Sequence, residues 1–313
     1  MNQKRIIDVP AGASLQAVLD ALPHGEAAHL RLAPGCYTGV LTISRPGITL
    51  EGVGVDPTEV VIACDHHHGG INPATGQKWG TTGSASVFVL GDDFRACNLT
   101  FANTWAGHDP DGANQAVAVK TEGDRLIFER CRFIGRQDTL YANTPAPTRI
   151  ARQYFRECEI EGDIDFIFGR ATAVFDRCLI RAVTDRVNQG YLTAPSTWEG
   201  NPRGFLFQSC RFESDAAAAT FALGRPWAAD KDGQHPRGTI SNGQMLVRQC
   251  WLGAHVGPWV DFAGPAPCRV DPQRLLAYAN SGPGATVDHG PEPGAYGMAD
   301  YLRGVDGWAP DGL

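Results

Sequence analysis

The sequence has little that would suit a membrane or a nucleic acid as partner. No apolar run approaches the roughly 20 residues needed to cross a bilayer. No basic cluster occurs in a chain whose net charge is −7, so we expect neither nucleic acid nor a membrane as a partner. Residues 1–8 are charged, but no apolar core follows them, so we do not expect a signal peptide. Two alternatives stay open: a cytoplasmic chain, or a secreted one whose signal was replaced by a start methionine.

Runs that favour helices are also few, whereas residues that favour turns are plentiful. The 313 residues include 37 glycines and 21 prolines, and short apolar segments alternate with them. This pattern is typical of an all-β chain. No shift in composition marks a linker, so we expect a single domain over residues 1–313.

The nine cysteines include no C-x-x-C pair, which argues against a zinc site. Most of them instead follow the pattern apolar-x-x-Cys-x-apolar, repeated about every 20 to 40 residues, as in stacked repeats with loops of variable length. We expect an internal ladder of reduced thiols rather than disulfides, because parallel Cβ vectors suit a bridge poorly. The ladder comprises Cys131, Cys158, Cys178, Cys210 and Cys250, with a looser copy after Cys97.

The two ends of the chain carry separate expectations. Ser14 can N-cap a helix that would cover the hydrophobic end of the solenoid. The apolar face of this helix would consist of Leu15, Val18, Leu19 and Leu22. Beyond residue 264 the chain is rich in proline and glycine, with one short helical piece expected near Asp271–Tyr278. We expect this tail to pack along the outside of the domain.

A polar loop at 65–83 contains the adjacent residues His66, His67 and His68. Neighbouring side chains in an extended segment point to opposite faces, so one ion cannot easily take all three. We therefore expect a solvated loop and not a metal site.

One carboxylate lies within an apolar segment, where Asp165 stands between Ile164 and Phe166. It is costly to desolvate without a partner. In a regular strand Asp165 would share a face with Asp163 and Ile167. This stretch alone favours neither a structural aspartate bound to backbone N–H groups nor a functional one.

Three further stretches place polar groups in unusual surroundings. Gln115 opens a strand, Gln137 and Asp138 end one unit of the repeat, and Arg225 stands near Trp227. Each alone is typical of a surface group, a turn or a packing contact. Together with Asp165 they indicate one chemistry: two carboxylates as nucleophile and proton donor, two amides for an oxyanion, and an arginine that keeps one carboxylate ionised.

The two aspartates share a position in the repeat. Asp138 follows Cys131 by seven residues, and Asp165 follows Cys158 by the same number. Because successive turns of a parallel solenoid lie about 4.8 Å apart, this equal offset predicts neighbouring carboxylates on one outer face.

These stretches resemble the pectin methylesterase (pectinesterase) family of carbohydrate esterases. The matching segments are, in order, 98–104, 115–119, 135–141, 163–169, 191–194 and 223–227. The resemblance implies a right-handed parallel β-helix that hydrolyses C6 methyl esters of galacturonate in pectin (homogalacturonan) or its oligomers and releases methanol. It also implies no metal or other cofactor, a monomeric chain and secretion.

By the same resemblance, Asp165 is expected to be the nucleophile and Asp138 the general acid/base. Gln115 and Gln137 would be the oxyanion-hole amides, and Arg225 would hold the nucleophile. The residues expected to bind substrate are Trp227, Phe166, Tyr141 and Thr82. Arg136 and Arg225 would give the cleft local positive charge.

One segment departs from the family pattern, because the early Gly-x-Tyr-x-Glu is Gly35-Cys-Tyr-Thr-Gly39 here. The missing glutamate bears on local structure more than on activity. Three alternatives stay open: a lyase or glycosidase on the same scaffold, an esterase or thioesterase with another substrate, and a pectin-binding solenoid without activity. A lyase would need a calcium cluster and a glycosidase carboxylates without amide partners, so the paired amides argue against both.

Overall fold

The computed structural model describes residues 4–228, 241–264, 267–285 and 296–310. Its strands are β1 (Arg5–Val9), β2 (Ala28–Leu32), β3 (Gly35–Thr38), β4 (Leu41–Ile43), β5 (Thr49–Gly52), β6 (Val60–Cys64), β7 (Val87–Val89), β8 (Arg95–Cys97), β9 (Thr100–Asn103), β10 (Val119–Thr121), β11 (Leu126–Glu129), β12 (Arg132–Ile134), β13 (Leu140–Ala142), β14 (Arg152–Arg156), β15 (Glu159–Gly162), β16 (Ile164–Gly169), β17 (Thr172–Asp176), β18 (Leu179–Ala182), β19 (Gly190–Pro195), β20 (Phe205–Gln208), β21 (Arg211–Glu213), β22 (Phe221–Ala222), β23 (Met245–Arg248), β24 (Trp251–Leu252), β25 (Val256–Gly257) and β26 (Leu275–Tyr278). The helices are α1 (Leu15–Asp20), α2 (Gly80–Gly83), α3 (Met298–Leu302) and a 3₁₀ turn at Pro57–Glu59.

The strands pair in parallel to form three sheets. Sheet A has the order β1-β2-β5-β8-β11-β14-β17-β20-β23-β26, sheet B the order β24-β21-β18-β15-β12-β9-β6-β3, and sheet C the order β25-β22-β19-β16-β13-β10-β7-β4. Each turn of the chain, called a rung here, adds one strand to each sheet, as β14, β15 and β16 do. The predicted fold, a right-handed parallel β-helix, is confirmed.

The apolar residue that precedes each repeated cysteine by three positions builds a stack inside the helix. Phe128 lies over Phe155 at 4.8 Å between ring centroids, Phe155 over Phe175 at 4.8 Å, and Phe175 over Phe207 at 4.4 Å. The rings are within 14° of parallel. They are fully buried and exclude water from the interior, which supplies the largest favourable term in folding.

The five cysteines of the repeat are buried and reduced, as predicted. Each thiol also completes a backbone hydrogen bond. Cys210 Sγ accepts from the Cys178 N–H at 3.4 Å, and Cys250 Sγ accepts from the Cys210 N–H at 3.2 Å. At the end of the ladder the acceptor is Asn280 instead of a thiol, and its Oδ1 accepts from the Cys250 N–H at 2.9 Å. The ladder therefore satisfies donors that would otherwise be buried without partners.

The looser copy after Cys97 differs by two positions. Cys97 pairs with Glu129 on the neighbouring rung, and Thr100 pairs with Arg132. The ladder position ahead of Cys131 therefore belongs to Leu99, not to Cys97.

The predicted helix after Ser14 is present as α1, and the Ser14 hydroxyl accepts from the Ala17 N–H at 3.3 Å. Leu15 and Leu19 join the interior, and α1 packs beside β4 at the end of sheet C. That α1 caps the solenoid stays a prediction.

The tail packs on the outside, as predicted, only at its described end, where Tyr301 and Leu302 of α3 lie against an apolar cluster on the outer face of sheet A. The segment 275–278 instead continues sheet A, and Leu275 lies in the interior. The helical piece expected near Asp271–Tyr278 is wrong, because Leu275–Tyr278 forms β26 and pairs with β23. Buried and half-buried residues alternate along β26, which is the period of a strand. Across the described ranges, the helices are too short and too polar to span a membrane.

Thiol titration tests the ladder. In native protein Cys36, the exposed cysteine, should react fastest, and the five ladder thiols should react only after unfolding. Protein denatured without reductant should then titrate nine thiols. A shortfall in the denatured, unreduced sample would show disulfides and would contradict the ladder.

Candidate active site

A β-bulge in β16 sets the position of Asp165. Ile164 pairs with Tyr191 and Ile167 with Thr193, so two residues, Asp165 and Phe166, face a single residue on β19. Asp165 has a φ of 50°, in the left-handed region that aspartate tolerates better than most residues. The bulge turns this carboxylate out of the core and toward solvent.

The bulge also changes the faces of the residues that follow. Phe166 and Ile167 are both fully buried in the interior, whereas Phe168 lies in the wall of the cleft that Asp165 lines. The predicted shared face of Asp165 and Ile167 is therefore wrong. The prediction that Phe166 binds substrate is also wrong, because its ring has no exposed surface. Phe168 is the aromatic residue of this segment that reaches the cleft.

Asp138 lies on the rung before Asp165, as the equal offset predicted. Leu140 pairs with Ile167, so the residues two positions before each of them are stacked. The Asp138 N–H donates to the Ile164 carbonyl at 3.0 Å, and Asp138 also has a positive φ, 66°. The two carboxylates are neighbours at the end of sheet C where β13 and β16 begin.

Arg225 binds Asp165 with two hydrogen bonds. Its Nε donates to Oδ1 at 2.9 Å and its Nη2 to Oδ2 at 2.6 Å. The guanidinium carbon lies 3.6 Å from the ring centroid of Tyr191 and 4.9 Å from that of Phe262. The Arg225 N–H donates to the Thr193 carbonyl at 3.0 Å, which ties this loop to sheet C. The guanidinium is thus fixed in orientation by two rings and one carboxylate.

The surroundings separate the two carboxyl groups electrostatically. Burial raises the pKa of Asp138 well above its usual range, and the charge of Asp165 raises it further. Burial also raises the pKa of Asp165, but the hydrogen bonds and charge of Arg225 oppose that rise. Both effects favour ionisation of Asp165 before Asp138.

The two predicted amides lie on adjacent rungs beside this pair. The N–H of Ala116, the residue after Gln115, donates to the Gln137 carbonyl at 3.0 Å. Both side chains line the same cleft as Asp138 and Asp165, a cavity of about 950 Å³. The Oε1 atom of Gln115 is buried without a partner among the described residues.

One wall of the cleft is aromatic. Tyr141 stacks on Phe168 with 4.1 Å between ring centroids, and Trp227 meets Phe168 edge-on at 6.2 Å. Thr82 lies on the same cleft and is exposed. The structure thus places Tyr141, Trp227 and Thr82 where a substrate could touch them.

Comparison with known proteins agrees with this geometry. The family model described as Pectinesterase matches residues 15–232, well over half of the chain. The chain belongs to the pectinesterase family.

Three relatives show how far the similarity extends. A pectinesterase from Ralstonia solanacearum is 33% identical over 305 residues, which cover 87% of this chain and 76% of the relative. The structure of a pectin methylesterase from Erwinia chrysanthemi has a TM-score of 0.83 and 26% identity, covering 99% of this chain and 100% of that one. The structure of a pectin methylesterase in complex with a hexasaccharide has a TM-score of 0.83 and 25% identity with the same coverage. Pectinesterases are carboxylic ester hydrolases that demethylesterify pectin, so the predictions of family and enzyme class are confirmed.

The histidine loop is solvated, as predicted, because no residue of 65–83 is buried, and part of it also forms a wall of the cleft. His66 stacks on Trp79 at 4.0 Å, and His67 stacks on Trp105 at 4.2 Å. His68 and Trp79 line the cleft. The three histidines have different partners, which agrees with the expectation that they do not converge on one ion. Sequence reasoning missed the wall because each stacking partner is at least 13 residues away.

In the part of the chain that the structure describes, one group of possible metal ligands lies outside the cleft lining. Cys64, Asp65 and His66 each offer a ligand atom within 4.8 Å of the others. Burial raises the pKa of the Cys64 thiol, which opposes the thiolate form that binds metals. The expected absence of a cofactor stays a prediction.

Arg136 does not supply positive charge to the cleft, so that expectation is wrong. It binds Glu161 at 3.0 Å and Asp185 at 2.6 Å in a separate groove lined by residues of sheet B. The cation that sequence reasoning missed is Lys120, which lines the cleft and is paired with Glu122 at 2.7 Å.

The Arg225–Asp165 pair can be tested through stability. Arg225→Gln leaves the Asp165 carboxylate partly buried without its cation, so its pKa rises further. A group with a raised folded pKa is favourable below its unfolded pKa, about 3.9, and loses that contribution as pH rises through the folded value. The variant should therefore be about 3–5 kcal/mol less stable near pH 7 in urea unfolding, with a smaller loss near pH 4.

Two further variants complete this test. Asp165→Asn/Arg225→Gln removes both charges and should recover most of the stability. Arg132→Gln, in a more exposed pair with Glu159, should cost less than about 1 kcal/mol. An equal loss for Arg225→Gln at every pH would point to lost ring packing instead of lost charge.

Proposed function

We propose that this chain hydrolyses the C6 methyl esters of galacturonate residues in pectin or its oligomers, with Asp165 as nucleophile and Asp138 as general acid/base. The observation that carries the proposal is the asymmetric carboxyl pair. Two stacked aspartates face one cleft, and Arg225 binds only Asp165 of the two. This arrangement favours ionisation of Asp165 over Asp138, as the roles of nucleophile and proton donor require.

The first step forms an acyl-enzyme. An Asp165 oxygen attacks the ester carbonyl carbon, and the carbonyl oxygen becomes an oxyanion that the amide N–H groups of Gln115 and Gln137 stabilise. The C–O bond to the methoxy group then breaks. Asp138 gives its proton to that oxygen, and methanol leaves. An anhydride between Asp165 and the galacturonate carbonyl remains.

The second step returns the enzyme to its starting state. Asp138, now a carboxylate, takes a proton from water as that water attacks the galacturonate carbonyl of the anhydride. The bond to Asp165 breaks, which leaves Asp165 ionised, Asp138 protonated and a free galacturonate carboxyl group. Arg225 supports this cycle because it stabilises the carboxylate of Asp165 at the start and at the end.

The cleft suits a sugar chain more than a small ester. Its volume of about 950 Å³ exceeds one sugar ring, and Tyr141, Phe168 and Trp227 give it an aromatic wall against which a sugar can pack. The solved relative in complex with a hexasaccharide supports an oligosaccharide as ligand. We further propose that the chain acts as a monomer and as one domain.

An activated ester separates the two aspartate roles. Asp165→Asn should abolish hydrolysis of every ester, because no acyl-enzyme can form. With a methyl ester, Asp138→Asn should lower the rate by about 10²–10⁴-fold, the range of general acid catalysis. With a galacturonate aryl ester, whose alcohol leaves as a stable anion, Asp138→Asn should release about one equivalent in a burst and then stall. Rapid mixing with both variants measures this.

Asp185→Asn, which removes an exposed carboxylate outside the cleft, serves as the control and should keep wild-type rates. A burst from Asp165→Asn and none from Asp138→Asn would exchange the two roles. A lack of methanol release from methylated pectin by the wild type would reject the proposed function itself.

Charge gives a second test. The described cations of the cleft, Lys120 and Arg225, are both ion-paired, and the chain has a net charge of −7. De-esterified pectin, a polyanion, should therefore inhibit weakly at low salt and somewhat more as salt screens the repulsion. Glu122→Gln frees Lys120, so inhibition should strengthen and then fall as salt is added.

Inhibition constants at several salt concentrations measure this effect. Glu213→Gln, which breaks the Arg211 pair outside the cleft, is the matched control and should behave like the wild type. Inhibition of the wild type that weakens steadily with salt would contradict the prediction.

A further inference from the structure

A third carboxylate, that of Asp163, lies beside the pair of Asp138 and Asp165 and takes no part in the proposed reaction. Asp163 has no exposed surface. Arg186 binds it with two hydrogen bonds, from Nε to Oδ2 at 2.8 Å and from Nη2 to Oδ1 at 3.0 Å. The Arg186 side chain is 12% exposed, and an ion pair that is buried to this degree costs desolvation that its own attraction repays only partly. Its presence here therefore invites a functional explanation.

The position of Asp163 connects it to Asp138. The Asp138 N–H donates to the carbonyl of Ile164, the residue between Asp163 and Asp165. Asp138 is therefore tied to a segment with a carboxylate on each side. Arg225 binds one of these carboxylates and Arg186 binds the other.

We propose that Asp163 and Arg186 form a positioning pair, in which Asp163 keeps Asp138 in its proton-donating form and Arg186 fixes the loop that leads to Gln115. This inference rests on the function proposed above. It assigns Asp163 an electrostatic effect on the acid, without contact to the substrate. It assigns Arg186 a mechanical effect on an oxyanion-hole amide.

The second half of the proposal rests on the contacts of Arg186 with the loop. Its Nη1 donates to the Gly107 carbonyl at 3.3 Å, and its guanidinium carbon lies 5.9 Å from the Trp105 ring centroid. His67 stacks on the same Trp105 ring. The loop runs from there to Gln115, so Arg186 links a buried carboxylate to the cleft wall.

The sign of the electrostatic effect follows from the charges that surround Asp138. Asp165 and Asp163 raise the pKa of Asp138, whereas Arg225 lowers it. Arg186 pairs with Asp163 and weakens its effect on Asp138. Farther out, Arg136 pairs with Glu161 and Asp185, and Lys120 with Glu122. Loss of the Asp163 charge should therefore lower the pKa of Asp138. Arg225, and not Asp163, sets the opposing shift of Asp165.

The test is the pH profile of kcat/KM for methanol release. The alkaline limb reports loss of the Asp138 proton and the acid limb reports ionisation of Asp165. Asp163→Asn should move the alkaline limb to lower pH and leave the acid limb in place. A purely structural pair would lower activity at every pH without moving either limb.

A second variant covers the case in which Asp163→Asn does not fold. Asp163→Asn/Arg186→Gln removes both charges and leaves no unpaired buried ion, so it should fold better. It should also move the alkaline limb to lower pH, by less than the single variant, because Arg186 no longer adds an uncompensated positive charge. The double variant should also lose kcat with little change in KM, because the loop before Gln115 is released.

Asp124→Asn is the matched control, because it breaks another buried bidentate pair, with Arg152, on the outside of sheet A. It should lower stability and leave both limbs in place. An alkaline limb that stays in place in both Asp163 variants, while the wild type releases methanol, would overturn this inference alone. Absence of methanol release from the wild type would instead overturn the proposed function.

Discussion

In-register parallel stacking of the rungs is the constraint on which this structure depends. Parallel pairing keeps equivalent residues directly above one another, as with Phe128 over Phe155 and Leu140 over Ile167. A slip of one residue would send every interior side chain of a strand to the outer face. The phenylalanine stack and the thiol ladder occupy the interior and so specify the register. The stacked aspartates on the outer face follow from it.

Features that recur along the chain could be predicted from the sequence. The repeated cysteine unit predicted a solenoid and the thiol ladder, and the shared offset of seven residues predicted the stacked pair of Asp138 and Asp165. Such predictions succeed because residues at the same offset in successive repeats lie next to one another once the rungs stack. The motif match added the roles of Gln115, Gln137 and Arg225, whose side chains the structure brings to the same cleft.

Single events that break the repeat could not be predicted in this way. The bulge at Asp165 inserts one residue into β16, so Phe166 faces the core and Phe168 faces the cleft. No local pattern marks that insertion, because the sequence of β16 is equally compatible with a regular strand and with a bulged one. The pairing of Leu275–Tyr278 with β23 is a contact between distant parts of the chain, so the local pattern of 271–278 could not predict it.

Contacts between distant loops could not be predicted from the sequence either. The stacking of His67 on Trp105 joins residues 38 positions apart, and the Arg186–Gly107 hydrogen bond joins residues 79 apart. These contacts depend on how far each loop extends from its rung. Composition and periodicity describe the rungs but carry no information on those distances. The outer shell of the cleft therefore had to come from the structure.

The thiol ladder has a consequence for the folding route. No disulfide joins the nine cysteines of the folded chain, and the five ladder thiols are shielded only once successive rungs have stacked. In the unfolded chain these thiols are accessible, and an oxidant can join any two of them. Such a bond would hold side chains that the native rungs keep parallel. In an oxidising environment the yield of active protein would thus depend on whether rung stacking outpaces disulfide formation, which takes seconds to hours.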